Sequence, residues 1–304
     1  MKLALAGKSV ALRILSIGAA VAGFGLATVG CADLDDDPSD PAAKAREPET
    51  NLRDYPKIAR PARADEMAHT VVRTGEPAVD VMATRTEGDL TTIEIFDPAP
   101  GVTPEALAES LRTAGKQDVQ LVRHDSGAIS SLDPYGCSYG QAHTATCPVS
   151  YWRNNGESNP IVLFNDHSGV TWPVSNAVYK WNQVLGIDSA YRYNTCSGSF
   201  PGAHCVDVYS ASYGTGTKWI GHTTRTYSNS VQVISTAWVE LNDSYDPAAW
   251  GFTRNSVATH ELGHVLGLGH NDWSGDLMYM TANKREDLGG ENQTLLQALY
   301  SIDR

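Results

Sequence analysis

The stretch that decides the reading is His260-Glu261-Leu262-Gly263-His264-Val265-Leu266-Gly267-Leu268-Gly269-His270. It satisfies H-E-x-x-H-x-x-G-x-x-H at every fixed position. On a helix His260 and His264 stand one turn apart on one face, about 6 Å along the axis, so both imidazoles can reach one ion. Glu261 is rotated off that pair and can meet a water on the metal rather than the metal itself. Continued as helix, His270 would lie about 9 Å beyond His264 and roughly 120° off the shared face. It joins the pair only if the helix stops and the chain turns back. Gly267 is where that turn falls, because glycine tolerates positive φ. Three neutral histidines leave a fourth position for water, the pattern of a catalytic rather than a structural zinc. A metal lowers the pKa of such a water, and Glu261 can take its proton. The bland alternative is a helix with chance histidines. On composition alone, H-E-x-x-H arises about once in a hundred such chains, and adding Gly267 and His270 lowers chance to roughly a few in a hundred thousand.

Working outward, Val174, Ala177, Val178, Trp181, Val184 and Leu185 fall at helical spacing, with Pro173 at the start and Gly186 at the stop. Ile161–Phe164, Cys205–Ser210, Lys218–Thr223 and Ala237–Leu241 read as strands. Leu288–Tyr300 reads as a closing helix that buries Leu295, Leu296, Leu299 and Tyr300.

These residues resemble the metzincin zinc peptidases. Metzincins carry a methionine turn beneath the metal; here Met278 follows His270 by eight residues in Leu277-Met278-Tyr279, a spacing most similar to the matrixins. In astacins and serralysins a Tyr two residues after the Met can approach the zinc, but here that position is Met280, so no tyrosine is assigned a role. Adamalysins place Asp directly after the third His, where this chain has Asn271. The resemblance covers about residues 137–304. It implies an α+β catalytic domain with a twisted five-stranded mixed sheet, two long helices, one carrying the zinc motif, and a C-terminal helix. It also implies one zinc ion on His260, His264 and His270, Glu261 as general base, Met278 as support and Gly267 as the helix-ending turn. The activity would be endopeptidase cleavage of protein or peptide substrates. Substrate would run antiparallel to the sheet's edge strand, for which Trp219–Arg225 is the candidate. The loop from Asn271 to about Asp287 would wall the S1′ pocket.

Vertebrate matrixin pro-segments carry P-R-C-G-x-P-D. No such motif stands here, and residues 32–136 contain no cysteine. The paired structural-zinc histidines of matrixins have no clear counterpart, His204 and His222 being isolated. Asp243 and Asp246 sit in a loop and could bind calcium.

The N-terminal half has a different organisation. Lys2, Lys8 and Arg13 precede an uncharged run, Ile14–Gly30, that reads as an export signal rather than a membrane anchor. Thr28-Val29-Gly30-Cys31 resembles the lipobox of bacterial lipoproteins, which makes residues 1–31 the signal and Cys31 a candidate lipid attachment point; ordinary signal cleavage is the alternative. Residues 32–66 are an acidic, Pro-rich tether. Residues 67–132 read as a small α/β unit: Val79, Val81 and Met82, then Thr91–Phe96 and Val119–Val122 as strands, and a helix opened by Thr103-Pro104 and ended by Gly115. This unit is either a pro-segment or an accessory domain. The catalytic domain occupies 133–304, and all seven tryptophans lie within it.

The formal charge is −12, of which −10 falls in residues 32–136. That excludes a nucleic-acid binder with a basic face and leaves membrane contact only to an N-terminal lipid. The expected localisation is exported, secreted or lipid-anchored at the bacterial cell envelope, and the expected state is a monomer. Without Cys31 four cysteines remain, which allow three pairings. Their spacings of ten and nine favour Cys137–Cys147 and Cys196–Cys205, with a second metal site as the competing reading. The alternative function is a surface metal-binding lipoprotein with a binding or assembly role and little turnover.

Overall fold

A computed structural model describes residues 78–124, 149–196 and 200–300. The signal segment with Cys31, the tether, residues 67–77 and 125–132 of the α/β unit, the seam near 130–136, and Cys137 and Cys147 lie outside the described residues.

Two apolar runs joined by Gly88 and Asp89 make the strands β1 (Ala78–Glu87) and β2 (Leu90–Pro98). Gly88 at φ +61 takes the left-handed conformation that so short a turn demands. Helix α1 (Pro104–Thr113) follows. Thr103 Oγ1 accepts from Ala106 N at 3.2 Å, Pro104 occupies the first turn, and Gly115 at φ +88 ends the segment. Strand β3 (Val119–His124) then pairs antiparallel with β1. Both faces of β1 are covered. Val81 and Ala83 lie in a small core with Leu107, Ala108 and Leu111 of α1, whereas Met82, with Ile93 and Ile95 of β2, enters the main core.

The rest of the chain supplies β4 (Ile161–Asp166), α2 (Val174–Asn182), β5 (Asp188–Tyr193), β6 (His204–Ala211), β7 (Trp219–Ser228), β8 (Ile234–Asn242), the short α3 (Pro247–Trp250), α4 (Arg254–Val265) and α5 (Gly290–Tyr300). β4 pairs parallel with β5 and β6, β6 pairs parallel with β8, and β7 runs antiparallel to β8. Trp181 is fully buried and donates from Nε1 to Thr259 O at 2.8 Å, tying α2 to α4. Tyr300 OH donates to Leu266 O at 2.9 Å, tying α5 to the end of α4.

The sheet corrects one expectation. It has eight strands, in the order β3-β1-β2-β7-β8-β6-β4-β5, not five. Five of them form the expected mixed sheet. The other three continue it, because β2 pairs antiparallel with β7 from Leu90–Ser228 to Pro98–Trp219. Trp219–Arg225 is therefore not an edge. Its outward N–H and C=O groups, which an edge strand leaves unpaired, are satisfied by β2.

Candidate metal centre

Helix α4 begins with a capping box: Thr253 Oγ1 accepts from Ser256 N at 2.9 Å, and Ser256 Oγ accepts from Thr253 N at 3.3 Å. Every residue from Asn255 to Val265 is buried, so the helix is enclosed on all sides. It ends in a Schellman arrangement, with Leu268 N donating to Gly263 O and Gly267 N to His264 O, both at 3.1 Å. Gly267 has φ +110. The chain reverses there, as the spacing requires, and returns His270 to the face of His260 and His264.

The three histidines converge. His260 Nε2 lies 3.0 Å from His264 Nε2 and 3.2 Å from His270 Nε2. Ligands around one tetrahedral zinc with bonds of about 2.0–2.1 Å stand about 3.3 Å apart. Each ring is turned by its other nitrogen. His260 Nδ1–H donates to Leu277 O at 2.6 Å and His264 Nδ1–H to Leu268 O at 2.8 Å. His270 Nδ1–H faces Asp80 Oδ1 at 2.7 Å and Val79 O at 3.1 Å. Carbonyl oxygens only accept, so these contacts leave Nε2 as a lone pair on His260 and His264, directed at the common centre.

Asp97, at the end of β2, completes the cluster. Its carboxylate oxygens stand 2.9 Å from His260 Nε2, 2.9 Å from His270 Nε2 and 3.4 Å from His264 Nε2. One donor atom from each of the four residues lies within 4.8 Å of the others, and all four residues are buried. Three imidazole nitrogens and one carboxylate directed at a common centre form a donor set that suits zinc. Burial opposes charge on every group here. At Asp97 the three imidazoles outweigh it and hold the carboxyl well below its usual range. At His270 the neighbouring Asp97 and Asp80 outweigh it and push the imidazole up to about 10, whereas at His264 burial prevails and holds it down at about 4.

Glu261 does not join the three imidazoles but stands beside Asp97. Its Oε2 accepts from Thr223 Oγ1 at 2.6 Å, while its buried Oε1 has no hydrogen-bond partner. Burial, then the adjacent Asp97, raise its pKa well above that of an ordinary carboxylate. Met278 is fully buried below α4, so close that a Cβ on Gly263 would lie 2.7 Å from its Sδ. The loop that carries it is pinned by Asp276, whose Oδ1 accepts from Asn271 Nδ2 and Met278 N, each at 2.7 Å. A recess beside His260 is lined by Leu277, Ala282 and Asn283 of that loop together with Ile220 and Val257.

The structure does not bring the other candidates to this centre. His204 packs at a tilt against Trp152 and contacts Arg153 O at 2.6 Å. His222 lies between Glu94 and Glu240. Asp243 accepts from Trp172 Nε1 and Arg254, and Asp246 caps α3. Cys196 and Cys205 form a disulfide with Cα atoms 5.9 Å apart. Sequence reasoning missed Asp97, Asp80 and Thr223. Asp97 is far from the motif along the chain, and its one signal is an acid at the end of the strand-forming run Thr91–Phe96.

No curated protein matches the chain. The family model of the matrixins (Matrixin) matches residues 199–301, which hold all three histidines and Glu261 but neither Asp97 nor strands β1–β3. That likeness supports a zinc metallopeptidase.

Proposed function

We propose that the chain is an exported, matrixin-like zinc endopeptidase acting on protein or peptide substrates. The observation that supports it best is the convergence of His260, His264 and His270 beside a buried Glu261 anchored by Thr223. Held by the three histidines, zinc would supply Lewis acidity toward the scissile carbonyl and lower the pKa of a water. Glu261 takes a proton from the attacking water and passes it to the leaving amine. Thr223 anchors Oε2 and leaves Oε1 for that transfer. The raised proton affinity of the buried carboxyl suits a base near neutral pH. Met278 sets the floor under α4 without reaching substrate, and the recess lined by Leu277, Ala282 and Asn283 is the candidate S1′ pocket. Export rests on the N-terminal charged and uncharged runs, with Cys31 as the lipid attachment point.

The test compares the chain with Glu261→Ala, as purified and after limited digestion by a second protease. The variant is expected to keep one zinc per chain and lose cleavage of a denatured protein substrate; equal activity sinks the mechanism. A second reading, a metal-binding lipoprotein with little turnover, draws support from the carboxylate of Asp97 at the fourth position. It leaves Glu261 without a purpose, since burying a second acid beside Asp97 is costly.

A further inference from the structure

We propose that Asp97 is a fourth protein ligand of the metal and that β2 lies where a substrate peptide would pair, so that the chain carries its own inhibitor. The inference rests on the metallopeptidase reading and adds its regulation.

A three-histidine zinc works as a catalyst only if its fourth position is open to water or substrate. Here that position faces the Asp97 carboxylate, whose oxygens lie 2.9 Å from two of the imidazole nitrogens. Three histidines and one carboxylate make the closed ligand set of a structural site. The exposure of His260, His264, His270, Glu261 and Asp97 is 6% or less at each, so the whole ligand set is covered in this state.

The backbone is blocked in the same way. An exposed sheet edge recruits an extended peptide by main-chain hydrogen bonding, and β7 would be that edge in a five-stranded sheet. β2 has taken it along its length, antiparallel. The register brings Asp97 opposite Gly221, and the ladder shifts between Asp97 and Pro98, which pairs with Trp219. Such an irregularity re-aims a side chain, and here the one it re-aims meets the histidines.

Independent contacts hold β2 in place. Glu94 pairs with His222 at 3.2 Å, and His222 reaches Glu240 of β8 at 3.0 Å. Phe96 stacks on the His222 ring with centroids 4.2 Å apart. On the next strand Asp80 accepts from the His270 backbone N–H at 3.0 Å. The unit thus covers β7 and also grips one metal ligand. Release of β2 from β7 would free the fourth position and the strand edge together.

The experiment uses the full chain loaded with cobalt(II) in place of zinc, as wild type, Asp97→Ala and Asp97→Asn. The readouts are cobalt per chain, the visible cobalt spectrum during titration with azide, and cleavage of a short fluorogenic peptide. The wild type is expected to hold one cobalt and ignore azide. Asp97→Ala is expected to hold one cobalt, show a saturable azide-dependent spectrum and cleave the peptide at least tenfold faster. Asp97→Asn keeps the shape of the side chain and gives the same azide response if the alanine chain does not fold. An azide response in the wild type equal to that of the variants overturns the proposal, as does a folded Asp97→Ala chain that binds no cobalt. Cleavage by the wild type as fast as by Asp97→Ala overturns the inhibitor and leaves the peptidase reading standing. The expected azide behaviour with no cleavage by any chain supports Asp97 as ligand and counts against the peptidase reading.

Discussion

Gly221 lies so close beneath Glu261 that a Cβ added to it would stand 1.7 Å from the carboxylate Oε1. The glycine is therefore a spatial requirement of the base and not of the turn chemistry of β7. Gly221→Ala must push the Glu261 side chain off Thr223. A displacement near 1 Å at a reacting group costs about a hundredfold in rate. The expected result is a loss of roughly that size in kcat, with zinc content unchanged, because the three atoms nearest the new methyl all belong to Glu261 and none to a histidine. Steady-state kinetics on chain activated by limited digestion, alongside metal analysis, checks it. Normal kcat in Gly221→Ala would refute the placement of the base.

Much of this arrangement was legible in the sequence, and the exceptions share a cause. The helix and its stop at Gly267 follow from local spacing, and so does the return of His270. The α/β unit follows from alternation in Thr91–Phe96 and the Thr103-Pro104 start. Asp188–Tyr193 carries no such signal, because Ser189 and Arg192 are polar yet buried in that strand. Asp97 was illegible for a different reason: its role depends on which strand β2 pairs with. Period-two alternation says that a strand will pair but does not name its neighbour.

His222 should give the molecule a pH-dependent seam. Its facing groups are Glu94, Glu240 and the hydroxyl of Thr224, with Lys116 beyond Glu94 and Tyr213 beyond Glu240. Burial opposes the imidazolium, but the two carboxylates outweigh it and raise its pKa. A raised pKa contributes stability that is full below the unfolded value of about 6.5 and is lost as pH rises through the folded value. Glu94 moves the other way. Burial opposes, yet His222 and Lys116 lower it to about 2, so its contribution is full above the unfolded value of about 4.5 and is lost as pH falls from there through about 2. The stability of the β2–β7 seam is therefore expected to peak between about pH 4.5 and 6.5. His222→Gln should cost about 2 kcal/mol within that window, since it removes the positive charge that faces both carboxylates. It should also flatten the alkaline limb in thermal melts from pH 5 to 9. An unchanged limb counts against the assignment.

Asp276 is expected to govern the loop under the metal. Its Oδ1 serves Asn271 Nδ2, Met278 N and Asn292 Nδ2, the last at 2.8 Å, so one carboxylate joins the residue after His270, the methionine and helix α5. Leaving buried donors without an acceptor costs about 1–3 kcal/mol each. Asp276→Ala is expected to lose about 3 kcal/mol in denaturant unfolding. It should also weaken zinc binding, because Leu277 O orients His260. Unaltered zinc affinity in a destabilised chain would limit Asp276 to a structural role.

Gly267 carries two constraints at once, and they can be separated. At φ +110 any L-residue is strained, by about 1–3 kcal/mol. A Cβ there would also lie 2.6 Å from Leu299 Cδ2 and 3.2 Å from Ser150 O. Leu299 is the end of a flexible side chain and can move; Ser150 O is backbone and cannot move cheaply. Gly267→Ala is therefore expected to destabilise by about 2–4 kcal/mol. Shortening Leu299 to Ala in the same chain removes only the clash at Cδ2. If conformational strain and the backbone contact dominate, Leu299→Ala recovers little of the loss, and the double variant also carries the cavity cost of a buried leucine, about 2–5 kcal/mol. A double-mutant cycle in denaturant measures the difference. Near-additive losses are the expected outcome, and strong rescue by Leu299→Ala would show that space at α5, not the turned backbone that returns His270, makes glycine necessary at this position.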